Sequence, residues 1–341
     1  GLLKAMGEPF LDRWRRRAVT IPAMLAATIV AVVGLPILAP AAVVADVVRG
    51  RWRLPTLRVY LFVLQYVIND SAEILAAPLL WLAGGFGTRL RSPASIARHE
   101  RLMWWSANLL IHRADQLLGL QLDVDESAEA CLAEGPVIVV SRHVSLLDAS
   151  IPGLVCHRAG LDVRAVIMAE LLADPGFDLL YGRLGSVFIP RDDTPRALAA
   201  INAMGAAASP ATALVIFPEG RLFTDAVRDR SLDRLADRDP DRAARLDGLT
   251  NLLPPRPAGL FALLDAAPDA DVVVLDHTGL DRLRNMADLL RADPVEHRVR
   301  VTAHRIDRAE VPEDEGDFVG WLDRLWCSLD ERHRFESDGL A

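Results

Sequence analysis

From Val19 to Val48 the chain reads VTIPAMLAATIVAVVGLPILAPAAVVADVV, with Asp46 its only charge. A run this long and apolar has two destinations, a bilayer or the middle of a protein core. A second apolar stretch follows from Val59 to Gly84, interrupted by Asn69, Asp70, Ser71 and Glu73. A cleaved signal peptide fits poorly, because the first stretch is too long, runs on into a second and shows no small-residue cleavage site. Arginines stand on every flank: Arg13 to Arg17 before, Arg49 to Arg58 between, and Arg89 to Arg101 after. Two full spans would put the middle arginines on the outer surface, against the positive-inside tendency. Pro36 and Pro40 are expected to break the first stretch, and Asp70 and Glu73 resist the hydrocarbon core. Residues 1–92 therefore read as a membrane anchor of two apolar segments, spanning or re-entrant. The flanking charge favours re-entrant segments, with the middle loop and both ends on the cytoplasmic side.

The net charge of −8 is unevenly spread. Up to Arg113 there are 14 basic and 6 acidic residues, so the remainder carries −16. An acidic body behind a basic, apolar front suits a membrane surface bearing anionic lipid and argues against nucleic acid as a partner. Cys131, Cys156 and Cys327 are far apart, odd in number and include no C-x-x-C pair. Neither a disulfide framework nor a zinc site is indicated, and a reducing, cytosol-facing catalytic part is expected.

Residues Ser95 to Leu120 have helical apolar spacing, with Trp104 and Trp105 suited to a membrane interface or to packing on a core. From Pro136 the pattern alternates. PVIVVS, VRAVIMA, SVFIP and TALVIFP are short β-branched runs, each followed by a helical stretch, and DVVVLDH and VEHRVRVTAHRI are two further strands. The fold class this implies is α/β, with a central mixed, largely parallel sheet flanked by helices and preceded by N-terminal membrane helices. The catalytic domain is set at residues 93–296, and a strand and amphipathic helix at 297–341. The segment from Thr224 to Gly248, dense in Arg and Asp, is expected to be a solvated, ion-paired helix.

In such a sheet ligands bind beyond the carboxyl ends of the strands. A histidine followed five residues later by an aspartate occurs three times, as His143/Asp148, His157/Asp162 and His333/Asp338. Only His143 directly follows a strand and precedes a helix, where a turn can fold the carboxylate back onto the imidazole. The other two pairs are expected to have no catalytic role. A neutral imidazole accepts a hydroxyl proton near neutral pH, and a carboxylate on its other nitrogen fixes the tautomer and stabilises the imidazolium. Ser145 as a covalent nucleophile is disfavoured, since the G-x-S-x-G elbow is missing. A metal site built on His143, Asp148 and Glu219 would have one histidine only, so no metal is expected. Two more strand ends are polar: GSVFIPR ends in Arg191, and IFPEGR ends in Glu219, Gly220 and Arg221. Arginine suits bidentate phosphate binding, and Gly220 permits close backbone approach; the competing reading pairs both arginines with local carboxylates.

The blocks VVSRHVSLLD, GSVFIPRDD and LVIFPEGRLFT resemble the first three motifs of the glycerolipid acyltransferase family, which includes the 1-acylglycerol-3-phosphate acyltransferases. NLLPPRPAGL and the tail from His297 look like the longer, lysocardiolipin-acyltransferase-like branch, and the likeness covers roughly Leu120 to His333. It implies His143 as general base and Asp148 as its orienting partner, with Arg191, Glu219, Gly220 and Arg221 binding the acceptor's phosphate side or organising the site. Two departures stand out: Arg142 where the family usually has asparagine, and an extra proline at Pro254-Pro255-Arg256. Neither is expected to touch the His–Asp pair.

The resemblance implies transfer of a fatty acyl group from acyl-CoA to 1-acyl-sn-glycerol 3-phosphate at the cytoplasmic face of the cell membrane. No cofactor beyond the thioester co-substrate, acyl-CoA or acyl carrier protein, is implied. The partners would be membrane lipid and a lysophospholipid acceptor. Acylation of glycerol 3-phosphate, remodelling of another lysolipid such as lysocardiolipin, and a non-catalytic lipid-binding role are the alternatives.

Overall fold

The computed structural model describes residues 8–291 and 297–338. The first residues of the predicted VEHRVRVTAHRI strand fall outside that range, and at Asp338 only the backbone is described. In chain order the helices begin with α1 (Phe10–Val48), α2 (Pro55–Ala83), α3 (Pro93–Leu118) and α4 (Glu126–Cys131). Next come α5 (Ile151–Arg158), α6 (Pro175–Leu179), α7 (Thr194–Gly205) and α8 (Asp225–Ala236). The last are α9 (Pro240–Leu246), α10 (Pro257–Ala266), α11 (Met286–Arg291) and α12 (Glu315–Asp338). The strands are β1 (Leu120–Val124), β2 (Val137–Ser141), β3 (Asp162–Met168), β4 (Val187–Ile189), β5 (Thr212–Ile216), β6 (Asp271–Thr278) and β7 (His297–Ile306). These elements fall into two compact units, drawn otherwise than the consecutive blocks 1–92, 93–296 and 297–341. One holds Gly1–Leu122, Ile167–Ala200 and Met286–Arg298; the other holds Asp123–Val166, Ile201–Asn285 and Val299–Ala341.

In the first unit α1 and α2 form an antiparallel hairpin. Tyr60 donates its hydroxyl to the Ala31 carbonyl at 2.7 Å, and Thr28 Oγ1 stands 2.7 Å from Ser71 Oγ. Asp46, the single charge of the first apolar run, is buried because it caps α2: its Oδ2 accepts from the Thr56 and Leu57 N–H groups at 2.9 and 3.3 Å. These are donors that the start of a helix leaves unsatisfied. The expected break at Pro36 and Pro40 does not occur, and α1 continues through Pro22, Pro36 and Pro40. A proline removes one backbone bond, but an apolar segment has no other partner for its remaining N–H and C=O groups, so the helix persists around it. The polar interruption of α2 serves protein contacts: Asp70 Oδ1 accepts from Gly176 N at 2.8 Å, and Asn69 Nδ2 donates to the Ser106 carbonyl at 3.1 Å.

Neither helix has a turn inside it. The turn lies between the helices instead. Both ends of the hairpin are tied by arginines to the same unit. Near the start, Arg16 donates to the Leu172 carbonyl and Arg17 to Asp178, each at 2.7 Å. At the turn, Arg51 donates to the Arg291 carbonyl at 2.7 Å. Helix α3 starts at a Ser92 cap with Pro93 in its first turn and stops at Gly119, whose φ of 68° suits the left-handed end of a helix.

The second unit is built on parallel strands. All five residues of β2 are buried, as β-branched residues covered on both faces should be. On one side β2 pairs in parallel with β5, which pairs in parallel with β3; on the other it pairs in parallel with β6, which pairs antiparallel with β7. The end of β1, which the sequence did not reveal, adjoins β7 through the Asp125 N–H bond to the Val301 carbonyl at 2.9 Å. Helix α12 closes the core with the buried Phe318, Leu322, Trp326 and Leu329. The Arg/Asp-rich segment forms two helices, α8 and α9, and is not wholly solvated. Arg242 is buried against Asp323 of α12, with Nη2 and Oδ1 2.8 Å apart.

Candidate active site

Three adjacent parallel strands, β5, β2 and β6, end in polar residues at their carboxyl ends. Glu219 follows β5, His143 follows β2, and Asp276 and His277 lie near the carboxyl end of β6. His143 Nδ1 stands 2.6 Å from Asp148 Oδ1. A carboxylate only accepts, so Nδ1 carries the proton and Nε2 is the basic nitrogen. Asp148 is fully buried and opens a 3-10 turn before α5. Its second oxygen accepts from the Val144 and Ser145 N–H groups at 2.6 and 2.8 Å, which fixes the carboxylate under the ring. The His143 side chain keeps 22% of its exposure, and its ring lies beside Phe217, centroids 4.9 Å apart. The dyad therefore presents an oriented, solvent-reachable base.

Glu219 is a clamp. Its Oε1 accepts from the His143 N–H at 3.2 Å and its Oε2 from the Leu253 N–H at 3.1 Å. Burial pushes its carboxyl up to about 8, against these two bonds and the Arg142 charge, which favour the ionised form. Gly220 has φ +64°, a left-handed conformation, and a Cβ there would meet Arg256 Cδ at 3.4 Å. The Phe223 N–H returns to the His143 carbonyl at 2.8 Å, so the Glu-Gly-Arg turn is pinned to the catalytic strand end.

The two strand-end arginines differ. Among the described residues Arg221 has no carboxylate partner, and its buried Nε has no hydrogen-bond partner. Arg191 belongs to the other compact unit and pairs there with Glu170. Ser145 is occupied: its hydroxyl donates to the Leu283 carbonyl at 2.5 Å and accepts from the Leu147 N–H at 3.2 Å. No cluster of three His, Cys, Asp or Glu side chains is placed to hold a metal ion among the described residues.

His157 is half-buried in the last turn of α5. His333 is buried, with Nε2 2.8 Å from Asp276 Oδ1. Arg142 is wholly buried, donates from Nε to the His277 carbonyl at 3.0 Å and pairs with Asp281. His277, whose Nε2 is 3.6 Å from Asp148 Oδ2, was missed because nothing in the motif spacing marks the end of β6.

Residues 123–275 match the family model described as Acyltransferase. Among solved structures the chain is similar to the 1-acyl-sn-glycerophosphate (LPA) acyltransferase PlsC from Thermotoga maritima. The identity is 18% over 78% of this chain and 96% of that one, with a TM-score of 0.44. None of the curated proteins matches it.

Proposed function

We propose that the chain transfers a fatty acyl group from acyl-CoA to the hydroxyl of a lysophospholipid, with 1-acyl-sn-glycerol 3-phosphate as its principal acceptor. The observation that carries this reading is the His143–Asp148 pair, oriented at 2.6 Å and open to solvent inside the segment that matches the Acyltransferase family model. His143 Nε2 takes the hydroxyl proton as the acceptor oxygen attacks the thioester carbonyl. The tetrahedral intermediate collapses, the C–S bond breaks, and the departing thiolate takes up the proton from the imidazolium. No side-chain nucleophile is required, in keeping with the occupied Ser145 hydroxyl. Arg221, free of carboxylates, is the first candidate for the acceptor's phosphate, with Gly220 leaving room for it. Arg191, held by Glu170, is the second.

The chain has two helices long and apolar enough to cross a membrane. Helix α1 exposes Val19, Ile29, Val30, Val33 and Ile37, an apolar face suited to lipid. Arginine bonds at both ends of the hairpin support attachment along this face at the cytoplasmic side of the cell membrane.

The test is an acceptor panel in detergent with one acyl-CoA: lysophosphatidic acid, glycerol 3-phosphate, lysocardiolipin and a neutral lysolipid. Lysophosphatidic acid should give the highest kcat/KM. Faster turnover of lysocardiolipin would move the assignment to that branch. Binding of lipid without any transfer would leave a non-catalytic role, for which an exposed, oriented His–Asp pair has no use.

A further inference from the structure

Behind the His143–Asp148 pair lies a second layer of polar side chains that the proposed reaction does not use. His277 is buried at the end of β6, and neither of its ring nitrogens has a hydrogen-bond partner. Its Nε2 stands 3.6 Å from Asp148 Oδ2, the oxygen that His143 does not use. That is too long for a hydrogen bond and close enough for a strong interaction in so dry a place. The His277 backbone is held on both sides: its N–H donates to Asp276 Oδ1 at 2.8 Å and its carbonyl accepts from Arg142 Nε at 3.0 Å. Arg142 is anchored in turn by Asp281, at 2.9 Å, and Asp276 by His333 of α12, at 2.8 Å.

The charged and titratable groups around the ring are therefore Arg142 from the end of β2, Asp148 from the turn after it, Asp276 from β6 and Asp281 from the loop beyond. His333 reaches the cluster through Asp276. Burial, helped by Arg142, pushes the His277 imidazole down to about 4, so it meets Asp148 as a neutral ring and does not compete with His143 as a cation.

We propose that His277 is a positioning residue for the His143–Asp148 pair, its Nε2 steadying Asp148 Oδ2 while Arg142, Asp276 and His333 form the frame that fixes His277. The catalytic sense of this rests on the acyl-transfer reading above. Holding both oxygens of Asp148 preserves the ring plane and tautomer of His143, and small misplacements of a base are expensive in rate.

The experiment compares His277→Phe, His277→Gln and His277→Asn in the full chain in detergent. It uses two readouts: steady-state kinetics with acyl-CoA and lysophosphatidic acid, and the pH titration of His143 by NMR of labelled histidine. The His143 signal is assigned from its loss in His143→Gln. His277→Phe should lower kcat on the order of 10- to 100-fold, leave both KM values within about twofold, and shift the His143 midpoint. His277→Gln, which keeps a donor of similar reach, should restore most of kcat, and the shorter asparagine should not. A folded His277→Phe with unchanged kcat and an unchanged His143 titration overturns the proposal. If the phenylalanine variant does not fold, equal activity of the glutamine and asparagine variants overturns it as well. If wild-type protein acylates no acceptor, the function reading fails, and the His143 titration alone decides: a shift in His277→Gln or His277→Asn upholds the positioning role and none overturns it.

Discussion

The second compact unit contains two histidine–carboxylate pairs that are nearly the same bond in two different settings. His143 Nδ1 is 2.6 Å from Asp148, and His333 Nε2 is 2.8 Å from Asp276. The His143 side chain is 22% exposed over a fully buried carboxylate, whereas the His333 side chain is 5% exposed beside a carboxylate that also serves the His277 backbone. One ring keeps a basic nitrogen within reach of solvent at the end of a parallel strand. The other is sealed between the closing helix and the sheet. Proton chemistry therefore depends on which nitrogen is left over and what can reach it, while the bond length alone says nothing.

Substitution should separate the two pairs. His143→Ala is expected to lower kcat on the order of 100- to 10,000-fold with little change in the urea midpoint, because the ring is partly exposed. A variant retaining more than about a tenth of wild-type turnover would remove His143 from the role of base. His333→Ala should do the reverse: a loss of about 1–3 kcal/mol in urea denaturation, from a buried carboxylate that loses a donor, with a smaller loss of rate. Equal rate losses at unchanged stability would make the two pairs functionally alike.

Buried neutral histidine also gives a pH test. His277 is held near 4 in the folded chain and binds a proton near 6.5 in the unfolded one, so the unfolded state takes up more protons between those values. Stability then falls as pH drops through that window, by ~2 kcal/mol between pH 7 and 5 for this residue. Glu219, raised to about 8, works in the opposite direction over the same range, because the folded chain holds its proton longer. The difference between wild type and His277→Phe at the two pH values isolates the histidine. If both lose stability equally, His277 does not titrate as described.

The two strand-end arginines extend the comparison from held to free. Arg221→Lys should raise KM for lysophosphatidic acid about tenfold while leaving KM for acyl-CoA alone, since lysine keeps the charge and loses the fork. Equal changes in both would make Arg221 a structural residue. Arg191→Ala, at a half-exposed pair, should change stability by under ~1 kcal/mol and affect the acceptor KM less than the Arg221 change. The reverse order would exchange their roles.

Much of this was legible in the sequence because it is local. Four buried β-branched residues and a serine mark β2, and a histidine with an aspartate five residues on, across a strand-to-helix turn, marks the dyad. What could not be read is non-local. Asp276 and His333 are far apart in sequence and meet only because the folded chain brings α12 within reach of the end of β6, and Arg142 turned inward because Asp281 and the His277 carbonyl wait for it there. The prolines of α1 misled for another reason: proline is a local signal for a break, but the break is decided by whether the freed backbone groups have anywhere else to go.

The clamp on Glu219 has a consequence for how the protein is made. Asp330 of α12 accepts from the Thr250, Asn251 and Leu252 N–H groups, and the next residue, Leu253, holds Glu219 against His143. Asp330 leaves the ribosome roughly 190 residues after His143, a delay of about 10–40 s at ordinary elongation rates of about 5–20 residues per second. Through that interval the nascent chain carries its base without the tie that seats it. A chain stalled or clipped before α12 would thus display the signature residues and no organised catalytic centre, so the last helix acts as a completeness check on the first motif.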